Sequence, residues 1–132
     1  MTKTINKKVL LIEDDLAIID IYQIMMKKEH LDVEVISLGL EAIERIKGIT
    51  KSKQPKPDII LLDLTLPDIN GMEVFKAIKE NTLTKNICVF ILTNQQDIQL
   101  EWPNNVGPDK FLIKANTGPA ELLEIIKQEL NK

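Results

Sequence analysis

Apolar and polar positions along this chain alternate between two periods. Five short runs rich in apolar residues, at 9–12, 33–37, 59–62, 87–92 and 111–113, have strand length. A continuous run such as 59–62 fits a strand buried on both faces. Between the runs the apolar spacing lengthens to three and four residues, the spacing of helices with one buried face. Strands alternating with helices predict βαβ units, a parallel sheet and right-handed crossovers.

The first helical pattern spans about 15–29, with Asp15 as N-cap and Ile18, Ile21, Tyr22 and Met25 toward the sheet. Leu16, Ile19 and Ile24 widen this stripe and are read as additional core. The second pattern, about 40–50, turns Ala42, Ile43 and Ile46 inward and leads into a polar, proline-punctuated loop whose lysines are read as solvated. The third opens on Asn70, with Glu73 three residues on as in a capping box, and buries Val74, Ala77 and Ile78. The fourth crossover, 94–109, is weak. Ile98, Leu100, Trp102 and Val106 are its sizeable apolar residues, and Pro103 biases Trp102 away from helix. At most two helical turns are expected there, followed by an irregular segment. The last helix, about 119–130, starts with proline in its first turn and buries Leu122, Leu123, Ile126 and Leu130.

Composition narrows the field of functions. A length of 132 residues suits a single domain with its own core, expected over about 8–130. The net charge of −3 provides no basic face for nucleic-acid phosphates. Cys88 is the sole cysteine, so no internal disulfide can form and a reducing compartment fits. No run approaches membrane-spanning length, and the polar start leads into too few apolar residues for a signal peptide. The expectation is a soluble, cytoplasmic single domain without an appended output domain. The glycines are scattered and form neither a P-loop nor a dinucleotide-binding fingerprint, and His30 lacks partners for a metal or triad.

The strand ends carry the chemistry. The first ends in Glu13-Asp14-Asp15, the third in Asp63, the fourth in Thr93 and the fifth in Lys114. In a parallel sheet these ends share one edge, where ligands bind in open α/β folds. Carboxylates converging there repel one another, and a divalent cation with oxygen ligands relieves this, which points to Mg²⁺ or Mn²⁺. A lysine supplies a point charge for a phosphoryl oxygen and a threonine hydroxyl a hydrogen bond. Together with a carboxylate nucleophile they suit a phosphoryl group held on Asp63.

These stretches resemble the receiver domain of bacterial two-component response regulators in its single-domain form. The resemblance rests on the ordered set Val9-Leu10-Leu11-Ile12-Glu13-Asp14-Asp15, Pro57-Asp58-Ile59-Ile60-Leu61-Leu62-Asp63 followed by Pro67 and Gly71, Val89-Phe90-Ile91-Leu92-Thr93, and Phe111-Leu112-Ile113-Lys114. It implies a flavodoxin-like, three-layer (βα)5 fold with strand order 2-1-3-4-5. It further implies that Asp63 accepts a phosphoryl group from a histidine kinase or a histidine phosphotransfer domain and passes the signal to a downstream protein. By the same resemblance Asp14 binds the metal directly, Glu13 through water, and the Thr65 backbone carbonyl adds a ligand. Lys114 pairs with the phosphoryl group, Thr93 moves to bond it, and Phe111 is the aromatic switch that turns inward. The lifetime of the phosphorylated form would be tuned by Thr65 and Gln95. A monomer or weak dimer is expected.

Two departures from the family pattern stand out. Ala115 follows Lys114 where proline and a cis peptide are usual, and Asn94 replaces a small residue after Thr93. With the weak fourth crossover they put the usual output face in question and motivate an alternative, a pseudo-receiver acting as a phosphorylation-independent interaction module. An aspartyl phosphatase is disfavoured, because Thr65 stands where such an enzyme would carry its second, acidic aspartate.

Overall fold

The strand Ile59–Asp63 (β3) is buried at every position and forms the axis of the molecule. The computed structural model describes residues 6–94 and 101–132. Around β3 lie β1 (Lys8–Ile12), β2 (Asp32–Ile36), β4 (Cys88–Thr93) and β5 (Lys110–Ile113). These five strands pair in parallel in the order β2-β1-β3-β4-β5, as expected. The strand edges are fixed in part by aspartates at their entries. Asp58 accepts from the Lys8 N–H at 2.7 Å and Asp109 from the Val89 N–H at 2.8 Å.

Among the described residues four helices, α1 (Leu16–Lys28), α2 (Gly39–Lys47), α3 (Gly71–Glu80) and α4 (Pro119–Leu130), cover the two faces. Alternation along the strands divides the core accordingly. Leu10, Ile12, Ile60, Leu62, Val89 and Ile91 pack under α2 and α3. Val9, Leu11, Ile59, Leu61, Phe90 and Leu92 pack under α1 and α4. The flavodoxin-like three-layer architecture follows directly from that division. No described helix is long and apolar enough to cross a membrane.

Asp15 caps α1, accepting from the Ala17 and Ile18 N–H groups at 3.0 and 3.3 Å. The buried stripe of α1 is rotated from the expected one. It consists of Ile19, Tyr22 and Met26, with Ile18 and Met25 half-buried. Ile21 faces solvent, as do Leu16 and Ile24, which were expected in the core. Apolar residues sit side by side at 18–19, 21–22 and 24–26, so periodicity leaves the phase open and sheet packing selects it. α2 is shorter than expected, and Asn81 Nδ2 donates to the Ile46 carbonyl in its last turn and the Ile49 carbonyl beyond its end, each at 3.0 Å. Asn70 caps α3 through the Met72 N–H at 2.9 Å; Phe75 is buried where Ala77 is only half so. In α4, Leu122 and Ile126 are buried, with Leu123 and Leu130 half-exposed at its flanks.

Ile98, Leu100 and Gln95 lie outside the described residues, as does most of the stretch expected to hold a short fourth-crossover helix. From 101 onward the crossover is irregular, with a 3₁₀ turn at Pro103–Asn105. Trp102 before it is extended (φ −89°, ψ 141°), as a residue preceding proline should be. Asn104 and Asn105 adopt left-handed φ values of 52° and 59°, which asparagine tolerates better than most residues. The Lys114–Ala115 peptide is trans, since no cis bond occurs among the described residues, and Lys114–Asn116 form a second 3₁₀ turn.

Candidate functional site

The C-terminal ends of β1, β3, β4 and β5 meet at one edge of the sheet. Register carries them there: Ile12 pairs with Leu62, Asp63 with Leu92, and Thr93 with Ile113. Glu13 is therefore level with Asp63, while Thr93 and Lys114 emerge one and two residues further along the same edge. Glu13, Asp63 and Thr93 are buried there, whereas Asp14 is exposed. With Asp15, Ile18, Thr65, Asn94 and Lys114, the three acidic residues line a cavity of about 360 Å³.

One carboxylate oxygen each from Glu13, Asp14 and Asp63 lies within 4.8 Å of the others. Lys114 Nζ donates to Glu13 Oε1 at 2.5 Å and to Asp63 Oδ2 at 3.0 Å. The other oxygens are held by backbone. Glu13 Oε2 accepts from the Asp14 and Asp15 N–H groups at 3.0 and 3.2 Å, and Asp63 Oδ1 accepts from the Thr65 N–H at 3.0 Å. These bonds fix the rotamers of both carboxylates, so Asp63 and Glu13 are preorganised.

Charge balance at this edge is tense. Burial raises the Glu13 pKa above its ordinary value; the Asp63 carboxylate adds to the rise, while bonds from Lys114 and the Asp15 N–H oppose it. Burial alone would lower the Lys114 pKa, but its bonds to Glu13 and Asp63 outweigh this and leave it raised. Tyr22, on α1 beneath the site, has its phenol pushed up by burial, with the Lys114 charge opposing and the two carboxylates adding to the rise. A single ammonium cannot neutralise three carboxylates. Hard oxygen donors with net negative charge left over are the donor set that Mg²⁺ or Mn²⁺ prefers, so the residues present fit such an ion.

Phe111, on β5, is 36% exposed and points away from the core. Its ring meets Trp102 edge-on, with centroids 6.3 Å apart at 74°. Trp102 in turn meets the fully buried Phe75 of α3 edge-on at 5.4 Å and 72°. Sequence reasoning named Phe111 but missed its partner. Two aromatic residues nine positions apart around an irregular segment carry no periodic signal. Asp68 was also missed. It follows Pro67 in an ordinary-looking turn, and its partners on α2 are some thirty residues away in sequence.

Similarity to known proteins bears on the same residues. Residues 9–127 match the family model described as the response regulator receiver domain. The chain is 33% identical over 108 residues to the DNA-binding dual master transcriptional regulator RpaA of Synechocystis, an alignment covering 81% of this chain and 42% of RpaA. A CheY-like response regulator receiver domain from Methanospirillum hungatei superposes with a TM-score of 0.76 at 28% identity, covering 96% of this chain and 94% of that one. The Mn²⁺-bound response regulator Rcp1 superposes with a TM-score of 0.70 at 27% identity, covering 92% and 90%. The chain spans about half the length of the curated relatives it matches.

Proposed function

This chain belongs to the response regulator receiver family, whose members act as phosphoacceptor switches, and on that premise we propose that Asp63 is the residue phosphorylated. The phosphoryl group comes from a phosphohistidine on a histidine kinase or a phosphotransfer domain. An Asp63 carboxylate oxygen attacks phosphorus, the P–N bond breaks, the imidazole leaves, and an aspartyl phosphate remains. Small acyl phosphates serve as alternative donors, with the receiver itself supplying the site for transfer and later hydrolysis.

The observation that carries this reading is the convergence of Glu13, Asp14 and Asp63 around a cavity into which Lys114 also reaches. Asp14 and Asp63 would hold Mg²⁺ or Mn²⁺ directly, Glu13 through water, and Thr65 through its backbone carbonyl. The bound cation would offset the charge of the phosphoryl oxygens during in-line transfer. Lys114, bonded to Asp63, would exchange that bond for one to a phosphoryl oxygen. Thr93, at the end of β4, donates its hydroxyl to another, and Phe111 leaves its exposed position as Thr93 moves. A local change in charge thereby biases a ring and a loop with two arrangements. The convergence of Glu13, Asp14, Asp63 and Lys114 supports this reading over an interaction module independent of phosphorylation.

The whole chain is read as one receiver domain acting in the cytoplasm as a monomer or weak dimer. Its downstream partner is a protein rather than nucleic acid, because the net charge of −3 opposes phosphate binding. The test is to incubate the protein with Mg²⁺ and a small acyl phosphate and weigh it intact. One phosphoryl adduct is expected, absent without the metal and absent in Asp63→Asn. No adduct on the wild type, or one that survives Asp63→Asn, overturns the proposal.

A further inference from the structure

α2 begins without a cap of its own. Leu38 occupies the N-cap position and has no side-chain acceptor to offer the N–H groups of the first turn. The acceptors come instead from the β3–α3 loop. Asp68 Oδ1 accepts from the Gly39 N–H at 2.8 Å, and Oδ2 from the Leu40 N–H at 2.9 Å. The Leu40 bond foremost holds the Asp68 carboxyl below its ordinary range, against an opposing effect of desolvation and with help from the Gly39 bond. Ile69 seals the same junction, since a Cβ on Gly39 would stand 2.8 Å from Ile69 Cδ1.

The base of this loop is also fastened. The Gly71 N–H donates to the Leu64 carbonyl at 2.8 Å, and Thr65 faces Asn70 across an isolated antiparallel bridge. Between the closed base and the Asp68 anchor runs the segment that begins with Thr65. Thr65 lines the acidic cavity and steadies Asp63 through its N–H. The loop that shapes one wall of the site is thus tied to a helix contributing no residue to it.

We propose that Asp68 is a positioning residue for the cation site: by clamping the β3–α3 loop to the start of α2, it holds Thr65 and Asp63 in binding geometry before the ion arrives. The proposal rests on the reading of Asp63 as acceptor in a metal site. An unclamped loop must be ordered at the moment of binding, and that entropy is subtracted from affinity. Outer residues that orient metal ligands commonly change affinity ten- to a hundredfold when removed. Asp68 acts through a loop rather than through a bond to a ligand, which puts it at the low end of that range.

The competing description is that Asp68 merely caps a helix. Leu38→Asp separates the two, because the extended backbone of Leu38 (φ −118°, ψ 135°) suits an N-cap side chain. In Leu38→Asp/Asp68→Ala, α2 regains a cap and the net charge is kept, but the loop is no longer tied. Mg²⁺ affinity is measured by calorimetric titration, stability by urea denaturation, and exchange of the Thr65 amide by NMR. Asp68→Ala is expected to bind Mg²⁺ about tenfold more weakly than wild type and to exchange the Thr65 amide faster. The double variant is expected to recover the urea midpoint but neither the affinity nor the slow exchange. If Asp68→Ala does not fold, Asp68→Asn takes its place in both proteins. Wild-type affinity in the single variant, or affinity restored along with stability in the double, overturns the role of Asp68 alone. Failure of the wild type to bind Mg²⁺ overturns the metal-site reading and the proposal with it.

Discussion

Glu13 is 1% exposed and Asp63 5%, yet both are carboxylates, and Lys114 is the cation bonded to each. Such a cluster is costly to bury, and its compensation is incomplete without a further positive charge. Burial, reinforced by Asp63, raises the Glu13 pKa above its ordinary value of 4.5. Between the unfolded and folded values the folded form holds the extra proton. Stability linked to Glu13 therefore rises as pH falls from neutral through the folded pKa toward 4.5. Lys114 behaves in the usual manner of a paired lysine. Its contribution is complete below its ordinary 10.5 and is lost as pH climbs through its higher folded value. In the presence of EDTA, urea midpoints measured from pH 7 down to pH 5 should increase for the wild type. Glu13→Gln, which keeps an oxygen acceptor for the Asp14 and Asp15 N–H groups, should be more stable at pH 7 and lose that slope. A midpoint for Glu13→Gln below wild type at pH 7 would mean that the Lys114 pairing outweighs burial.

Among the secondary elements, β3 and the start of α3 set the tightest constraint. Gly71 opens α3 directly over the chain leaving β3. A Cβ there would lie 2.5 Å from the Asp63 carbonyl oxygen and 2.6 Å from Leu64 Cα, both backbone atoms with no room to yield. In an exposed helix, replacing glycine with alanine gains about 1 kcal/mol. Here overpacking costs about 1–3 kcal/mol and reverses the sign. Gly71→Ala should destabilise the protein by about 2 kcal/mol in urea denaturation; a stabilised variant would show that β3 and α3 can move apart. The cap of Asn70, the strand ends and the Pro-initiated α4 were all legible, because capping and apolar runs are local signals. The rotation of α1 was not. Its apolar residues occupy neighbouring positions at every turn, so two stripes fit the sequence equally well. Only packing against Leu11, Leu61 and their neighbours on the sheet selects Ile19, Tyr22 and Met26.

For the molecule as a whole, the proposed function makes cation binding and folding one linked equilibrium. The three carboxylates converge only when β1 and β3 are paired, so an ion held by them would bind the folded chain and not the unfolded one. Mg²⁺ at a hundred times its dissociation constant should stabilise the protein by about 2.7 kcal/mol, raising Tm by roughly 10 °C for a domain of this size. Scanning calorimetry with Mg²⁺ and then excess EDTA checks this, and the shift should shrink sharply in Asp63→Asn. The sequence by itself determined the parallel sheet and which polar residues stand at its C-terminal edge, while the strand order followed from the family resemblance that its motifs carry. Parallel strands bring their C-terminal ends to one edge whatever the details of packing, so Glu13, Asp14, Asp63, Thr93 and Lys114 belong together once the strands are recognised. Only the tertiary structure decided which of them touch. Lys114 divides itself between Glu13, 101 residues away, and Asp63, 51 away. Asp68 reaches α2 across 28 and 29 residues, and Trp102 stands between Phe111 and Phe75. Local periodicity reports the face on which a residue lies, whereas pairings at such separations depend on how the layers close over one another.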